Sequence, residues 1–217
     1  MKGALSKMAV KLLDSWILKE QAQLQKNYED LNALSPQEPD VIFLGDSIVE
    51  YFPLNELLIS PKRLINRGIR AYKSYLLRQH LGSLLFGRAL DKVFILIGTN
   101  DIGEDLALEE SLANLEAIIQ ELARDYPLTQ LYLLSVLPVN EEEAYRNTVY
   151  IRTNARIQEL NQAYQDLVQH YHNASFLNLY DLLLDEKGQL AADFTIDGVH
   201  LTIAGYARLA EKLTTYI

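Results

Sequence analysis

Short apolar runs alternate with helix-like periods from residue 41 to the end of the chain, and this rhythm restricts the folds that the sequence can adopt. Runs of this kind are typical of strands buried on both faces of a sheet. Their alternation with helices predicts right-handed crossovers and a parallel sheet of about five strands, covered by helices on both faces in a three-layer α/β/α arrangement. The predicted strands are VIFLG (41–45), RLINRG (63–68), KVFILIG (92–98), QLYLLSVLP (130–138) and SFLNLYDLL (175–183).

A long amphipathic helix is predicted ahead of the sheet. Its apolar residues recur at a spacing that lines one helix face, and lysines mix with acids on the other face, which favours packing on the protein's own sheet. No repeat or flexible linker marks a boundary, so we expect one domain over 1–217, with helix and connector in 1–40 and the α/β core in 41–217. The apolar positions of the helix are Met8, Leu12, Trp16, Leu24, Tyr28 and Leu31.

The composition excludes several classes of chemistry and of partner. The chain has no cysteine, which excludes disulfides, thiolate nucleophiles and cysteine-ligated metals. His170 and His172 have no nearby acidic cluster that resembles a metal site, so no metal or cofactor is expected. The net charge of −9 argues against nucleic acid as a partner. No stretch reads as a membrane span or signal peptide, so a soluble, cytoplasmic protein is expected.

Polar residues follow the predicted strands at the edge where parallel sheets bind ligands. Each has an ordinary structural explanation when it is taken alone. Ser47 is suited to cap a helix N-terminus, Gly68 to a turn, and Asn100 or Asp101 to capping the helix that follows Gly103. Asp197 and His200 are equally suited to local turn contacts.

Taken together, these residues are those that acyl transfer by serine requires. A serine nucleophile needs a base within hydrogen-bond reach, and the base needs a third group that fixes its tautomer. Asp197 and His200 are three residues apart, so their side chains can meet. Donors for the developing oxyanion are available in the backbone N–H groups of Ser47 and Gly68 and in the Asn100 amide.

Four segments of the chain resemble the motif blocks of the SGNH hydrolases, also called GDSL esterases. They are Gly45-Asp46-Ser47-Ile48, Gly68, Gly98-Thr99-Asn100-Asp101 and Asp197-x-x-His200, in the family's order. Residues 65–69 and 197–206 look most like the branch of platelet-activating-factor acetylhydrolase subunits. The resemblance implies a flavodoxin-like fold and a triad of Ser47, Asp197 and His200. It also implies an oxyanion hole of Ser47, Gly68 and Asn100, with no metal or cofactor.

The function that follows is a serine esterase that cleaves small acyl esters, such as acetyl esters, through an acyl-enzyme intermediate. Two alternatives remain open on the same triad, a carbohydrate O-deacetylase and an acyltransferase, and a third is a noncatalytic interaction subunit. The resembled subunits pair, which implies a homodimer. The branch often has further glycine after the second block, where this chain has Arg70 and Ala71. Candidate substrate contacts are Arg70, Tyr51 and Tyr72, with Phe52 and residues 138–150 as further walls.

Overall fold

The computed structural model describes residues 2–217, with side chains described from residue 15 onward. It confirms a five-stranded, fully parallel sheet with strand order β2-β1-β3-β4-β5. Every residue of β1 is buried, as the apolar run predicts for a central strand. The strands are β1 (Val41–Gly45), β2 (Leu64–Gly68), β3 (Lys92–Leu96), β4 (Gln130–Leu134) and β5 (Ala174–Leu177).

Helices cover both faces of this sheet, so the fold has the predicted three layers. One core lies under α1, α4, α6 and α8, and the other lies under α2, α3 and α9. The α-helices are α1 (Lys2–Leu34), α2 (Ser47–Glu50), α3 (Leu54–Leu57), α4 (Ser74–Leu84), α5 (Thr99–Gly103), α6 (Leu108–Asp125), α7 (Arg146–Val149), α8 (Asn154–Val168) and α9 (Ile203–Leu213).

Successive residues of the central strands pack into opposite cores. Ile42 and Leu44 face the core under α4 and α6, whereas Phe43 faces the other core and stacks on Phe94 with ring centroids 4.6 Å apart. Each fully buried side chain of this size contributes about 1.5–3 kcal/mol of transfer free energy. Because β1 is fixed on both faces and by both neighbouring strands, its carboxyl end, where Ser47 follows, is held rigidly.

Four of the five strands are shorter than their predicted apolar runs, β4 and β5 by the most. The runs 130–138 and 175–183 were expected to be strands throughout, but β4 ends at Leu134 and β5 at Leu177. Ser135 Oγ accepts hydrogen bonds from the N–H groups of Leu179 and Tyr180, which draws the backbone out of the ladder. The remaining apolar residues are buried in loops and in a 3₁₀ turn, Tyr180–Leu183. Burial, rather than strand pairing, accounts for their apolar character.

The N-terminal helix α1 is present, but it does not bury its apolar stripe uniformly. Tyr28 is buried and Leu24 is partly buried, whereas Trp16 and Leu31 are exposed. The predicted positions Met8 and Leu12 lie outside the residues with described side chains. The helix packs beside α4. Across the described part of the chain, no helix is both long and apolar enough to cross a membrane.

Candidate active site

Ser47 opens α2 immediately after β1, and its hydroxyl faces a histidine. Ser47 Oγ lies 3.0 Å from His200 Nε2. The helix cap is instead Asp46, whose carboxyl group accepts a hydrogen bond of 2.9 Å from Ile48 N–H. The capping explanation for Ser47 is therefore wrong, and its hydroxyl is free to bond to the histidine.

In the turn before α9, Asp197 makes three hydrogen bonds, two of them with His200. Asp197 Oδ2 lies 2.8 Å from His200 Nδ1, and Asp197 Oδ1 accepts the backbone N–H groups of Val199 (3.1 Å) and His200 (2.8 Å). An ionised carboxylate only accepts hydrogen bonds, so Nδ1 carries a proton and Nε2 is left to accept the hydroxyl proton of Ser47. The three side chains form one continuous chain of hydrogen bonds.

The electrostatics of this turn keep the carboxylate charged. Burial of Asp197 favours the neutral acid, but the hydrogen bonds from His200 and Val199, together with the His200 charge, hold its pKa below the usual value. Asp197 is therefore ionised at neutral pH and stabilises an imidazolium at His200. This is the arrangement that a general base needs when it takes a proton from a nucleophile.

Asn100 lies in α5, at the carboxyl end of β3, and both ends of its amide are engaged. Its Nδ2 donates to Tyr72 O at 3.1 Å, and its Oδ1 accepts from Arg152 Nη2 at 3.1 Å. Neither Asn100 nor Asp101 caps α6, which begins at Leu108 after an Ala107 cap. Asp101 is instead buried and accepts a hydrogen bond from Ser74 N–H. One amide hydrogen of Asn100 remains for a ligand.

The hydrogen bond of Gly68 N–H contradicts its predicted role as an oxyanion donor. Asn66 Oδ1 accepts that N–H at 2.9 Å, so the group is already satisfied. Gly68 is required for close packing instead, because a Cβ there would lie 2.1 Å from the backbone nitrogen of Glu50. The glycine lets β2 approach α2, and it holds the nucleophile helix in place.

The backbone N–H of Ala71, three residues after Gly68, has no hydrogen-bond acceptor among the described residues. Between Gly68 and Tyr72, every other backbone N–H donates to an acceptor, whereas that of Ala71 has none among the described residues. Its backbone has φ +58°, in the left-handed region that favours glycine. Ala71 was not among the predicted oxyanion donors. The signal was the glycine that the resembled branch often has after the second block, since glycine marks backbone of this kind.

Arg70 and Tyr72, two of the three predicted substrate contacts, both make contacts within the protein. Arg70 is ion-paired with Glu50 through its guanidinium, so its charge is already neutralised. The side chain of Tyr72 is buried in the core, and burial raises its pKa to about 12. Tyr72 is therefore not available to line an ester pocket, whereas the Arg70 guanidinium lies 5.7 Å from the Tyr51 ring centroid and stays a predicted contact. Phe52, a predicted wall, is also buried and stacks on Tyr206.

Tyr51 and the segment 138–150 do lie beside the triad. The ring of Tyr51 is 46% exposed and its centroid is 5.8 Å from that of His200. Tyr145 and Val149 pack on Gly198, and Asn140 N–H donates to Gly198 O at 2.9 Å. The segment thus supports the turn that carries the base.

A groove of about 440 Å³ adjoins the Ala71 turn on the side of α1. An ion pair between Lys73 and Glu104 lies in its wall. Helix α1 contributes part of the lining, although the sequence indicated no role for it at the site. The lining residues are Ile17, Leu18, Gln21, Ala71, Lys73, Tyr75, Leu76 and Glu104. In the described part of the chain, no group of three or more His, Asp or Glu residues is arranged to hold a metal ion.

Asp46, next to the nucleophile, is fully buried, and one of its oxygens has no hydrogen-bond partner. Burial raises its pKa from 3.8 to about 7; Asp101 adds to the rise, and the Ile48 N–H bond and Arg152 oppose it. Tyr164 and Tyr206 also interact electrostatically with this carboxyl group. The pKa of this group is about 7 in the folded chain and about 3.8 in the unfolded chain. Between these pH values the folded chain binds more protons than the unfolded chain, so the free energy of unfolding falls as pH rises.

Replacing Asp46 with Asn is expected to remove that dependence. Each unit of pKa difference between the folded and unfolded states is worth about 1.4 kcal/mol. Wild type should therefore lose about 2 to 3 kcal/mol of unfolding free energy between about pH 5 and about pH 8 that Asp46→Asn does not lose, so the difference between the two proteins changes by that amount. Urea unfolding at the two pH values measures it. The exposed Asp166→Asn is the matched control. A difference between Asp46→Asn and wild type that is equal at both pH values would contradict the raised pKa.

Comparison with known families agrees with this geometry. The model of the GDSL-like Lipase/Acylhydrolase family matches residues 43–208, a range that includes Ser47, Asn100, Asp197 and His200. A solved structure from Streptococcus pneumonia, described as a platelet activating factor, is 54% identical with a TM-score of 0.95. The alignment covers 97% of this chain and 98% of that one.

Two curated proteins resemble the chain at lower identity. The platelet-activating factor acetylhydrolase IB subunit alpha2 of Rattus norvegicus is 26% identical over 181 residues, which cover 82% of this chain and 75% of that protein. The N-acylneuraminate cytidylyltransferase of Escherichia coli is 28% identical over 182 residues. That alignment covers 82% of this chain but only 40% of the cytidylyltransferase, so the chain spans about two fifths of that protein's length.

Proposed function

The chain belongs to the GDSL-like lipase/acylhydrolase family and is a hydrolase, and from that premise we propose that it is a serine esterase acting on small acyl esters, acetyl esters first. The observation that carries the proposal is the chain of hydrogen bonds from Ser47 Oγ to His200 Nε2 (3.0 Å) and from His200 Nδ1 to Asp197 Oδ2 (2.8 Å). Nucleophile, base and orienting carboxylate are thus in contact before any substrate binds.

Acylation begins when the Ser47 hydroxyl attacks the ester carbonyl carbon and passes its proton to His200 Nε2. The tetrahedral intermediate collapses as His200 returns that proton to the leaving alcohol, which breaks the ester C–O bond. Asp197 stays ionised and stabilises the imidazolium throughout. Water then attacks the acyl-enzyme with the same histidine as base, which releases the acid and restores the Ser47 hydroxyl.

The developing oxyanion is proposed to bind three N–H donors that the protein leaves free. They are the backbone N–H of Ser47, which has no acceptor among the described residues, the remaining amide hydrogen of Asn100, and the N–H of Ala71. Preorganised donors of this kind stabilise charge in the transition state without reorganisation. Ala71 takes the place in this set that the sequence analysis gave to Gly68.

An acetyl-sized acyl group is favoured by the relatives that are named acetylhydrolase subunits. A second candidate is an O-acetylated sugar, because the Escherichia coli relative is named for an acylated sugar acid. The exposed Tyr51 ring beside His200 offers a flat apolar face to either leaving group. An acyltransferase would differ only in using an alcohol instead of water to accept the acyl group.

Fluorophosphonate labelling followed by peptide mass analysis tests the proposal directly. The expected adduct lies on Ser47, because its hydroxyl meets a histidine ring nitrogen that can take its proton. An unlabelled but folded protein would favour the noncatalytic interaction subunit instead. Hydrolysis rates of p-nitrophenyl esters from acetate to palmitate are expected to fall with chain length, and a maximum at long chains would contradict the proposed preference for small acyl groups.

The competing acceptors are separated by product analysis. Release of acetate from an acetyl ester and from an O-acetyl sugar, each with and without added alcohols, distinguishes esterase, deacetylase and acyltransferase. The homodimer implied by the resemblance stays a prediction, and light scattering in solution tests it.

A further inference from the structure

Arg152 is a partly buried cation beside the site; burial lowers its pKa, and the charges of Asp46 and Asp197 oppose that shift. It lies between α7 and α8 and makes no ion pair among the described residues. Its guanidinium donates instead to oxygens of neutral groups: Nε to Thr99 O (2.9 Å), Nη1 to Thr148 O (3.2 Å) and Val149 O (3.4 Å), and Nη2 to Asn100 Oδ1 (3.1 Å). Its direct hydrogen-bond partners are thus all neutral groups, although Asp46 and Asp197 lie near enough to interact with its charge, and one of those partners is the predicted site residue Asn100.

These contacts determine which way the Asn100 amide faces. A guanidinium has donors only, so the atom that meets Arg152 has to be the amide oxygen. The carbonyl of Tyr72 accepts only, so the atom that meets it has to be the amide nitrogen. Rotating the amide by 180° would place its NH₂ group against the guanidinium N–H groups of Arg152 and its oxygen against the carbonyl oxygen of Tyr72. The free amide hydrogen is therefore presented in one direction only.

The helix that carries Asn100 is also shaped to admit the guanidinium. A Cβ at Gly103, the last residue of α5, would lie 2.3 Å from Arg152 Nη2 and 2.5 Å from Cζ. Only glycine lets the planar group lie against this helix. Helix α5 therefore carries the donor Asn100 and, at Gly103, leaves the space in which the Arg152 guanidinium lies.

We propose that Arg152 is a positioning residue of the oxyanion site, which fixes the Asn100 amide and strengthens its hydrogen bond to the oxyanion. The proposal rests on the esterase function proposed above. A charged donor on the amide oxygen polarises the amide, so its N–H becomes a better donor. The effect is largest when the substrate oxygen carries full negative charge, so Arg152 should act on kcat more than on KM.

A double-mutant cycle between Arg152 and Asn100 tests this. Asn100→Ala is expected to lower kcat by about 10²- to 10³-fold, as loss of one oxyanion donor does elsewhere, and Arg152→Gln by about 10- to 100-fold with little change in KM. Because Arg152 acts through Asn100, the double variant should be no slower than Asn100→Ala alone. Losses that multiply, or an unimpaired Arg152→Gln, would overturn the proposal.

The matched control is Arg156→Gln, one helical turn away. Arg156 pairs with Asp105 at 2.9 Å and has no contact with Asn100, so this variant should keep wild-type kcat. Thermal unfolding reports whether Arg152→Gln is folded. If it is not, Arg152→Lys enters the same cycle, because it keeps the cation but loses the planar fork. A folded Arg152→Lys whose loss of kcat multiplies with that of Asn100→Ala would also overturn the proposal.

A second readout separates positioning from general support of the fold. Guanidinium ion at millimolar concentration is expected to restore part of the kcat of Arg152→Ala, and none of the kcat of Asn100→Ala. Absence of rescue in a folded Arg152→Ala would count against the proposal. If the wild type neither hydrolyses esters nor takes the fluorophosphonate label, the proposed esterase function is wrong. If it does both, and the kcat losses of Arg152→Gln and Asn100→Ala multiply in the double variant, only the role of Arg152 is wrong.

Discussion

Ser47→Ala is expected to reduce kcat for p-nitrophenyl acetate by about 10⁴- to 10⁶-fold, because it removes the only hydroxyl that hydrogen-bonds to His200 Nε2 in the described structure. The remaining rate would come from the oxyanion donors and from substrate binding. The variant should fold normally, since Asp46 and not Ser47 caps the helix. Initial rates measured beside a thermal unfolding curve check both statements.

Ser83→Ala is the matched control for this substitution. Its hydroxyl donates to a backbone carbonyl within α4, that of His80, and has no contact with the triad. We expect its kcat to equal that of wild type. A folded Ser47→Ala enzyme with more than about a hundredth of the wild-type rate would show that another group is the nucleophile, since loss of a serine nucleophile costs far more than that.

Asp197→Asn is expected to lower kcat by about 10⁴-fold while leaving the turn intact. The oxygen of the new amide would still accept the N–H groups of Val199 and His200, so its NH₂ would take the place of the oxygen that faces Nδ1. An NH₂ group donates, so Nδ1 would have to accept and the ring proton would move to Nε2. In that tautomer His200 cannot take the proton of Ser47.

The control for Asp197→Asn is Asp193→Asn, an exposed carboxylate in the preceding 3₁₀ turn. Both substitutions remove one negative charge, so a difference in kcat between the two variants cannot come from a general effect of net charge. Imidazole NMR on ¹⁵N-labelled protein should show Nε2 protonated only in Asp197→Asn. Retention of a proton on Nδ1, together with full activity, would contradict the role of the carboxylate.

Much of this fold is predictable from the sequence because its signals are local. A strand buried on both faces has to be apolar throughout, and the run at 41–45 is therefore matched by β1 residue for residue. Parallel strands send their carboxyl ends to one edge, so residues as distant as Ser47 and His200 could be expected to meet. The same reasoning failed at 130–138, where burial continues after strand pairing ends.

The details of the oxyanion site depend on contacts that no local pattern records. Gly68 carries the motif, but whether its N–H is free is decided by the side chain of Asn66. The pairing of Arg70 with Glu50 joins residues on two different elements. The unpaired N–H of Ala71 follows from a single backbone torsion. Arg152 lies 52 positions from Asn100, so its contact is created only by folding.

Helix α1 also makes the active site depend on a part of the chain that lies outside the family match at 43–208. Tyr28 donates its hydroxyl hydrogen to Gly68 O (2.9 Å), and Gln21 donates to Arg70 O (2.8 Å), so α1 anchors the loop that ends at Ala71. A protease that cut the connector at 35–40 would leave the triad untouched but release this anchor. We therefore expect the segment 43–208 alone to keep the proposed nucleophile but to hold the loop that ends at Ala71 less firmly than the intact chain does.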